Sequence, residues 1–177
     1  MKKARPIFVC VVLLGLTLLL PMPSARAGVS VGATLPAYEV HNVATDSEYS
    51  PWEALRGKAA TVAYFASIKD PQFWADCQKL QALQAAFPNV GVFAQLVDGG
   101  NASLLAARAR ESGVTIPIVY AVGDEWKEAL RVKTEKDMSH QVYLSRNLRL
   151  EWSAVGLTDQ TLAELTRRLK LLPASPH

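Results

Sequence analysis

Apolar and polar positions follow two rhythms along this chain, and the change from one to the other marks its elements. Residues 61–66 (T-V-A-Y-F-A), 90–97 (V-G-V-F-A-Q-L-V) and 116–122 (I-P-I-V-Y-A-V) are almost unbroken apolar runs. Their length and their β-branched and aromatic content predict strands covered on both faces. Between the first two, Phe73, Cys77, Leu80, Leu83 and Phe87 recur at steps of three and four, which predicts a helix over 71–87 with one buried face. Strand, helix and strand with short connections predict a crossover between parallel strands.

The remaining pattern is shorter and more polar. Residues 37–40 predict a short strand, placed at a sheet edge because Pro36 precedes it, and residues 44–49 a polar turn. Ser50 before Pro51 predicts a capped helical turn that Gly57 halts. Asn101 is positioned to cap a helix carrying Leu104, Leu105 and Ala109 and ending at Gly113. Residues 124–132 predict a short helix with Trp126 and Leu130 on one side. Residues 141–144 and 148–154 predict a hairpin around Ser145, Arg146 and Asn147. Leu162, Leu165, Leu169 and Leu172 predict the buried face of a closing helix over 158–172. The whole is an α/β arrangement, a mixed central sheet sandwiched between helices.

The first 27 residues read differently. Lys2, Lys3 and Arg5 precede an apolar run over 7–20, and Ala25-Arg26-Ala27 is an A-x-A cleavage signal, so residues 1–27 are expected to be a signal peptide. The apolar run is shorter than the roughly 20 residues that span a bilayer, and Pro21 and Pro23 follow it. A periplasmic or secreted location, with no membrane span after cleavage, is the expectation. The segment also holds four of the 19 basic residues and no acidic one, which leaves 15 basic against 16 acidic residues. The formal charge of +3 therefore belongs to the leader, and neither nucleic acid nor an anionic membrane is expected as a partner. Residues 28–172 are enough for one domain with its own core, and residues 173–177 form a tail expected to be disordered. Of the two cysteines, Cys10 leaves with the leader and Cys77 remains alone, so no internal disulfide is possible.

The order of V-G-A-T-L-P-A-Y, L-R-G-K, V-A-Y-F-A-S, G-V-T-I-P-I-V-Y and V-Y-L-S-R-N-L-R-L-E-W along residues 31–172 resembles the exported TlpA-type thioredoxins and the related AhpC/TSA redoxins. The resemblance implies a thioredoxin-like fold. It also implies a Cys-x-x-Cys pair in the loop after the first core strand, where a helix start stabilises the thiolate. Laid on that loop, Lys69, Asp70, Pro71 and Gln72 stand at the redox site, with Lys69 and Gln72 at the two cysteines. Ser139 stands where the family has its cis-proline. Neither Lys nor Gln forms a mixed disulfide, so dithiol exchange through this loop is chemically excluded. Asp70 is placed to cap the helix beginning at Pro71.

Three functional readings follow. The leading one is an exported thioredoxin-fold protein without dithiol–disulfide activity, a binding or accessory module for another exported protein. It uses the former active-site groove, with Trp74, Met138 and His140 as candidate surface. The first alternative is a monothiol redoxin or peroxidase-type oxidoreductase using Cys77. Against it, Cys77 lies nearly two turns into its helix, on the apolar face, with Trp74 where such a peroxidase has Thr or Ser. The second is copper handling. The Sco-type copper chaperones are similar in Y-F-x and in an Asp-x-Ser ahead of the hairpin. Asp70 and Trp74 replace their cysteines here and Met138 their histidine, leaving Met138 and His140 as the soft donors. No metal site and no cofactor is expected, and His41 and His177 read as surface residues.

Overall fold

The computed structural model of the chain describes residues 28–172. The leader read over 1–27, with Cys10, and the tail 173–177, with His177, lie outside the described residues. Among the described residues there are seven strands: β1 Val40–Asn42, β2 Ser47–Tyr49, β3 Ala60–Ala66, β4 Val90–Leu96, β5 Ile118–Tyr120, β6 Gln141–Arg146 and β7 Arg149–Val155. The helices are α1 Pro51–Ala54, α2 Phe73–Ala86, α3 Ala102–Glu111, α4 Glu125–Leu130, α5 Glu135–Met138 and α6 Asp159–Lys170.

The strands form one mixed sheet in the order β2-β1-β5-β4-β3-β6-β7. β3 pairs parallel with β4, and β4 parallel with β5. β6 joins β3 antiparallel and carries β7 beyond it. Every residue of β3 and β4 is buried, as their unbroken apolar sequences require. Alternate side chains divide between two cores, one on each face. Val62, Tyr64, Val92 and Ala94 pack with Phe73, Cys77 and Leu80 of α2, Leu105 of α3 and Leu165 of α6. Ala63, Phe65 and Phe93 pack on the other face with Trp52 of α1, Trp126 of α4 and Met138 of α5. Trp52 meets Phe93 edge to face at 5.0 Å. Gly91 interrupts the apolar run of β4 because Leu55 lies directly on it: a Cβ there would stand 2.9 Å from the Leu55 Cδ2.

Several boundaries differ from the pattern's expectation. The strand expected over 37–40 is instead β1 Val40–Asn42, and it is internal, with β2 outside it. The turn expected over 44–49 contains β2, whose Ser47 and Glu48 carry no apolar signal. The hairpin turn is Asn147-Leu148, both with positive φ (48° and 61°), so β6 continues through Arg146. This is the two-residue geometry whose twist matches the flanking strands. α2 begins at Phe73 rather than at Pro71. α5 was not expected; its capping box joins Thr134 and Asp137. Leu165 and Leu169 of α6 are buried as predicted, while Leu162 and Leu172 are half-buried and Thr161 is buried in addition.

The hydroxyl of Thr158 accepts the N–H of Thr161 at 3.1 Å and so closes the amino end of α6. Thr158→Ala should cost about 1 kcal/mol, read as a lower midpoint in urea unfolding, while Thr158→Ser should stay close to the parent.

Candidate functional site

The loop from β3 into α2 is built by hydrogen bonds to its own backbone. Ser67 donates its hydroxyl to Asp98 Oδ2 at 2.6 Å, and the N–H of Ile68 donates to Asp98 Oδ1 at 3.0 Å. Asp98, just past β4, thereby fixes the start of the loop from the neighbouring parallel strand. The N–H of Lys69 donates to Ser67 Oγ at 3.0 Å. Asp70 then turns the chain into the helix: its Oδ1 accepts the N–H of Gln72 at 2.9 Å, and its carbonyl accepts the N–H of Phe73 at 3.1 Å. Asp70 therefore does not cap a helix starting at Pro71. It closes the turn ahead of a helix that starts at Phe73, with Gln72 at the cap position making no side-chain bond.

The other carboxylate oxygen of Asp70 faces His140, whose Nδ1 stands 3.2 Å from Oδ2. The Asp70 side chain is 9% exposed and the imidazole 46% exposed, so a nearly buried carboxylate lies under a half-open ring. His140 has φ +64°, an unusual conformation for a non-glycine residue, and its carbonyl accepts the N–H of Gly156. Ser139, beside it, is half-buried with an extended backbone, and no cis peptide bond occurs among the described residues. Lys69, Pro71 and Gln72 are exposed. A groove of about 220 Å³ runs between this loop and the segment around α5, its lining including Ser67, Lys69, Asp98, Glu135, Lys136 and Ser139.

The aromatic pair at the head of α2 divides its roles. Phe73 is fully buried, nearly parallel to Tyr64 with centroids 6.5 Å apart. Trp74 is half-buried, edge to face with Phe73 at 5.0 Å, and keeps part of its indole open. Met138 corrects the expected surface. It is 0% exposed, part of the core under α5, and its Sδ accepts the hydroxyl of Tyr143 at 3.5 Å. The one turn of α5 swings Met138 inward although its chain neighbours Asp137, Ser139 and His140 are polar. Met138 thus offers no contact surface, and its sulfur is turned away from solvent as a metal donor. No group of three His, Cys, Asp or Glu residues able to hold a metal occurs among the described residues. His41 is half-buried, its ring tilted against Tyr120.

Cys77 is 0% exposed on the face of α2 that packs on β3 and β4. Burial pushes its thiol far above the ordinary value of 9.0, and the Asp76 carboxylate pushes it further the same way. Asp76 was not singled out by the sequence pattern, yet it is buried and central to this side of the molecule. It accepts the Tyr64 hydroxyl at 3.0 Å on Oδ2 and the Lys79 ammonium at 2.8 Å on Oδ1. Lys79 reaches on to the carbonyl of Leu157 at 3.4 Å. A thiol beside a buried carboxylate has the opposite of the electropositive setting that makes a thiolate.

No family model matches the chain, and no curated sequence does. Its backbone is similar to solved structures of thioredoxin-like fold. A PrxQ mutant from Xylella fastidiosa has a TM-score of 0.65 at 15% identity, over 81% of this chain and 97% of that one. The thioredoxin domain of a thiol-disulfide oxidoreductase from Bacteroides vulgatus has a TM-score of 0.62 at 13% identity, over 80% and 99%. A SCO1/SenC family lipoprotein from Bacillus anthracis has a TM-score of 0.62 at 18% identity, over 80% and 95%. At such identities the likeness shows the fold alone: the chain has a thioredoxin-like fold.

The buried thiol and phenols give the fold an alkaline limit. Cys77, Tyr38 and Tyr64 are all held protonated by burial, above ordinary values of 9.0, 10.0 and 10.0. Above those values the unfolded chain binds fewer protons than the native state, so stability falls as pH rises. Their contribution to unfolding free energy should be level below pH 9 and then fall by up to about 1.4 kcal/mol per pH unit for each group. In Cys77→Ser the fall between pH 9 and 10 should shrink while the steeper loss above pH 10 stays, read from urea unfolding across that range.

Proposed function

We propose that the protein is an exported thioredoxin-fold module without dithiol–disulfide exchange activity, acting as a binding or accessory partner of another exported protein. The observation that carries this reading is the burial of Cys77 at 0% exposure beneath a loop that contains no sulfur. Lys69 and Gln72 offer hydrogen-bonding groups where exchange chemistry needs thiols. The groove beside them is polar at Lys69, Asp98, Glu135, Lys136 and Ser139, and the open part of Trp74 adds an apolar contact near the loop. A partner chain laid on this surface would meet Lys69, Gln72 and His140 on residues already held in place by Asp98 and Asp70. That preorganisation lowers the ordering cost of binding.

The buried thiol also speaks against a monothiol enzyme, because the helix face would have to leave the sheet before Cys77 met a substrate. Met138, turned into the core, speaks against a copper site shared with His140.

In an insulin-reduction assay the protein should show no turnover above background, and Cys77→Ser should be indistinguishable from the parent. Turnover that Cys77→Ser abolishes would overturn the reading. The binding half is tested by a photo-crosslinker placed at Gln72 in the exporting cell. A discrete adduct weakened by Lys69→Glu and His140→Ala is expected, and adduct yields unchanged by both substitutions would contradict this use of the groove.

A further inference from the structure

α3 meets the sheet with small side chains. Ala102, Ala106 and Ala109 are the α3 residues half-buried against the core, and Leu105 is its one buried residue. α2, by contrast, fills its share of the same core with Phe73, Leu80 and Leu83. The missing volume remains as a cleft of about 370 Å³ between α3 and the amino end of β5. Its walls include Val43, Ala106, Ala109, Val114, Ile116 and Ile118. The cleft shares no residue with the groove beside Ser67 and Lys69, which lies beyond the carboxyl ends of β3 and β4. An apolar cleft of this size with a few polar groups on its rim is the usual form of a small-molecule site.

The rim selects the charge of the occupant. The guanidinium of Arg110, exposed on α3, makes no ion pair or hydrogen bond among the described residues, whereas that of Arg108 contacts Glu111 at 3.5 Å. Asn42 Oδ1 accepts the N–H of Ala44 at 2.8 Å, which leaves its NH₂ group as a donor. The N–H and hydroxyl of Thr115 both donate to Gln81 Oε1, at 2.6 and 2.9 Å, and are spent. No carboxylate lines the cleft. Asp46 lines the adjoining hollow, which shares Val43, Ala44, Ala106 and Arg110 with the cleft, and there its carboxylate is engaged by the Tyr120 hydroxyl, which it accepts at 2.7 Å, with the His41 ring 3.8 Å away. The free side-chain groups on the rim are thus donors, and one carries a positive charge whose planar fork matches a carboxylate.

We propose that this cleft binds a small organic carboxylate with an apolar body, the body against Ala106, Ala109 and Ile116 and the carboxylate on Arg110. The site is independent of the loop at Lys69 to Gln72 and does not depend on the function proposed above.

Octanoate and, separately, 1-octanol are titrated into ¹⁵N-labelled protein and followed by amide chemical shifts. Saturable one-site shifts from octanoate, confined to residues 42–44, 106–110 and 114–118, are expected. Arg110→Gln, an exposed change that leaves the core untouched, should weaken octanoate about fivefold or more, and the neutral alcohol should bind the parent more weakly by a similar factor. Absence of saturable shifts at millimolar octanoate would overturn the proposal. So would shifts centred elsewhere, or equal affinity for octanoate in the parent and in Arg110→Gln.

Discussion

The packing of one face of α2 on β3 and β4 is the constraint from which the rest of this molecule follows. Phe73, Cys77, Leu80 and Leu83 are all buried there against strands with no exposed residue. Side chains in such a core make contacts on every side, so the helix has a single seating. That seating sets where the preceding loop emerges above the sheet. It also closes the Cys77 thiol away from solvent, so the loop's position and the burial of the thiol have the same physical origin.

The loop keeps a defined shape through polar contacts that span the chain. Asp98 reaches across from the end of β4 to hold Ser67 and Ile68, and Asp70 ties the turn to Gln72 on one side and faces His140 on the other. A loop held only by solvent would be free to sample many conformations. Here two carboxylates accept the N–H groups of Ile68 and Gln72, Ser67 accepts those of Lys69 and Asp70, and Lys69 and Gln72 are presented outward. Tyr64, Asp76 and Lys79 form a second polar network at the edge of the core, in which each oxygen of the buried Asp76 carboxylate has a partner and Lys79 opens to solvent. Burial without such partners would cost several kcal/mol.

What was legible in the chain is what burial writes into composition. β3 and β4 are covered on both faces and so read as continuous apolar runs; α2 and α6 are covered on one and so read at helical period. The cap at Asn101 and the Pro51 start are local chemistry and read equally well, whereas Ser50 stands at the cap position of α1 without the expected side-chain bond and the Thr158 cap was not read. The β1–β2 hairpin did not, because His41, Asn42, Ser47 and Glu48 pair through backbone rather than through apolar side chains. Met138 was misplaced because its depth is set by the single turn of α5, not by its neighbours in sequence. At the site, the absence of cysteines at positions 69 and 72 needed only the sequence. The meeting of Asp70 with His140, and of Ser67 with Asp98, joins segments tens of residues apart, and nothing in either segment alone announces it.

The most direct measurement is the rate at which Cys77 reacts with a chromogenic disulfide reagent at neutral pH, in a Cys10→Ser background. The account predicts slow modification whose rate stops depending on reagent concentration once opening of the fold becomes limiting, and which accelerates in urea. Rapid modification in native buffer, first order in reagent at all concentrations, would place an accessible thiolate on this fold and contradict it.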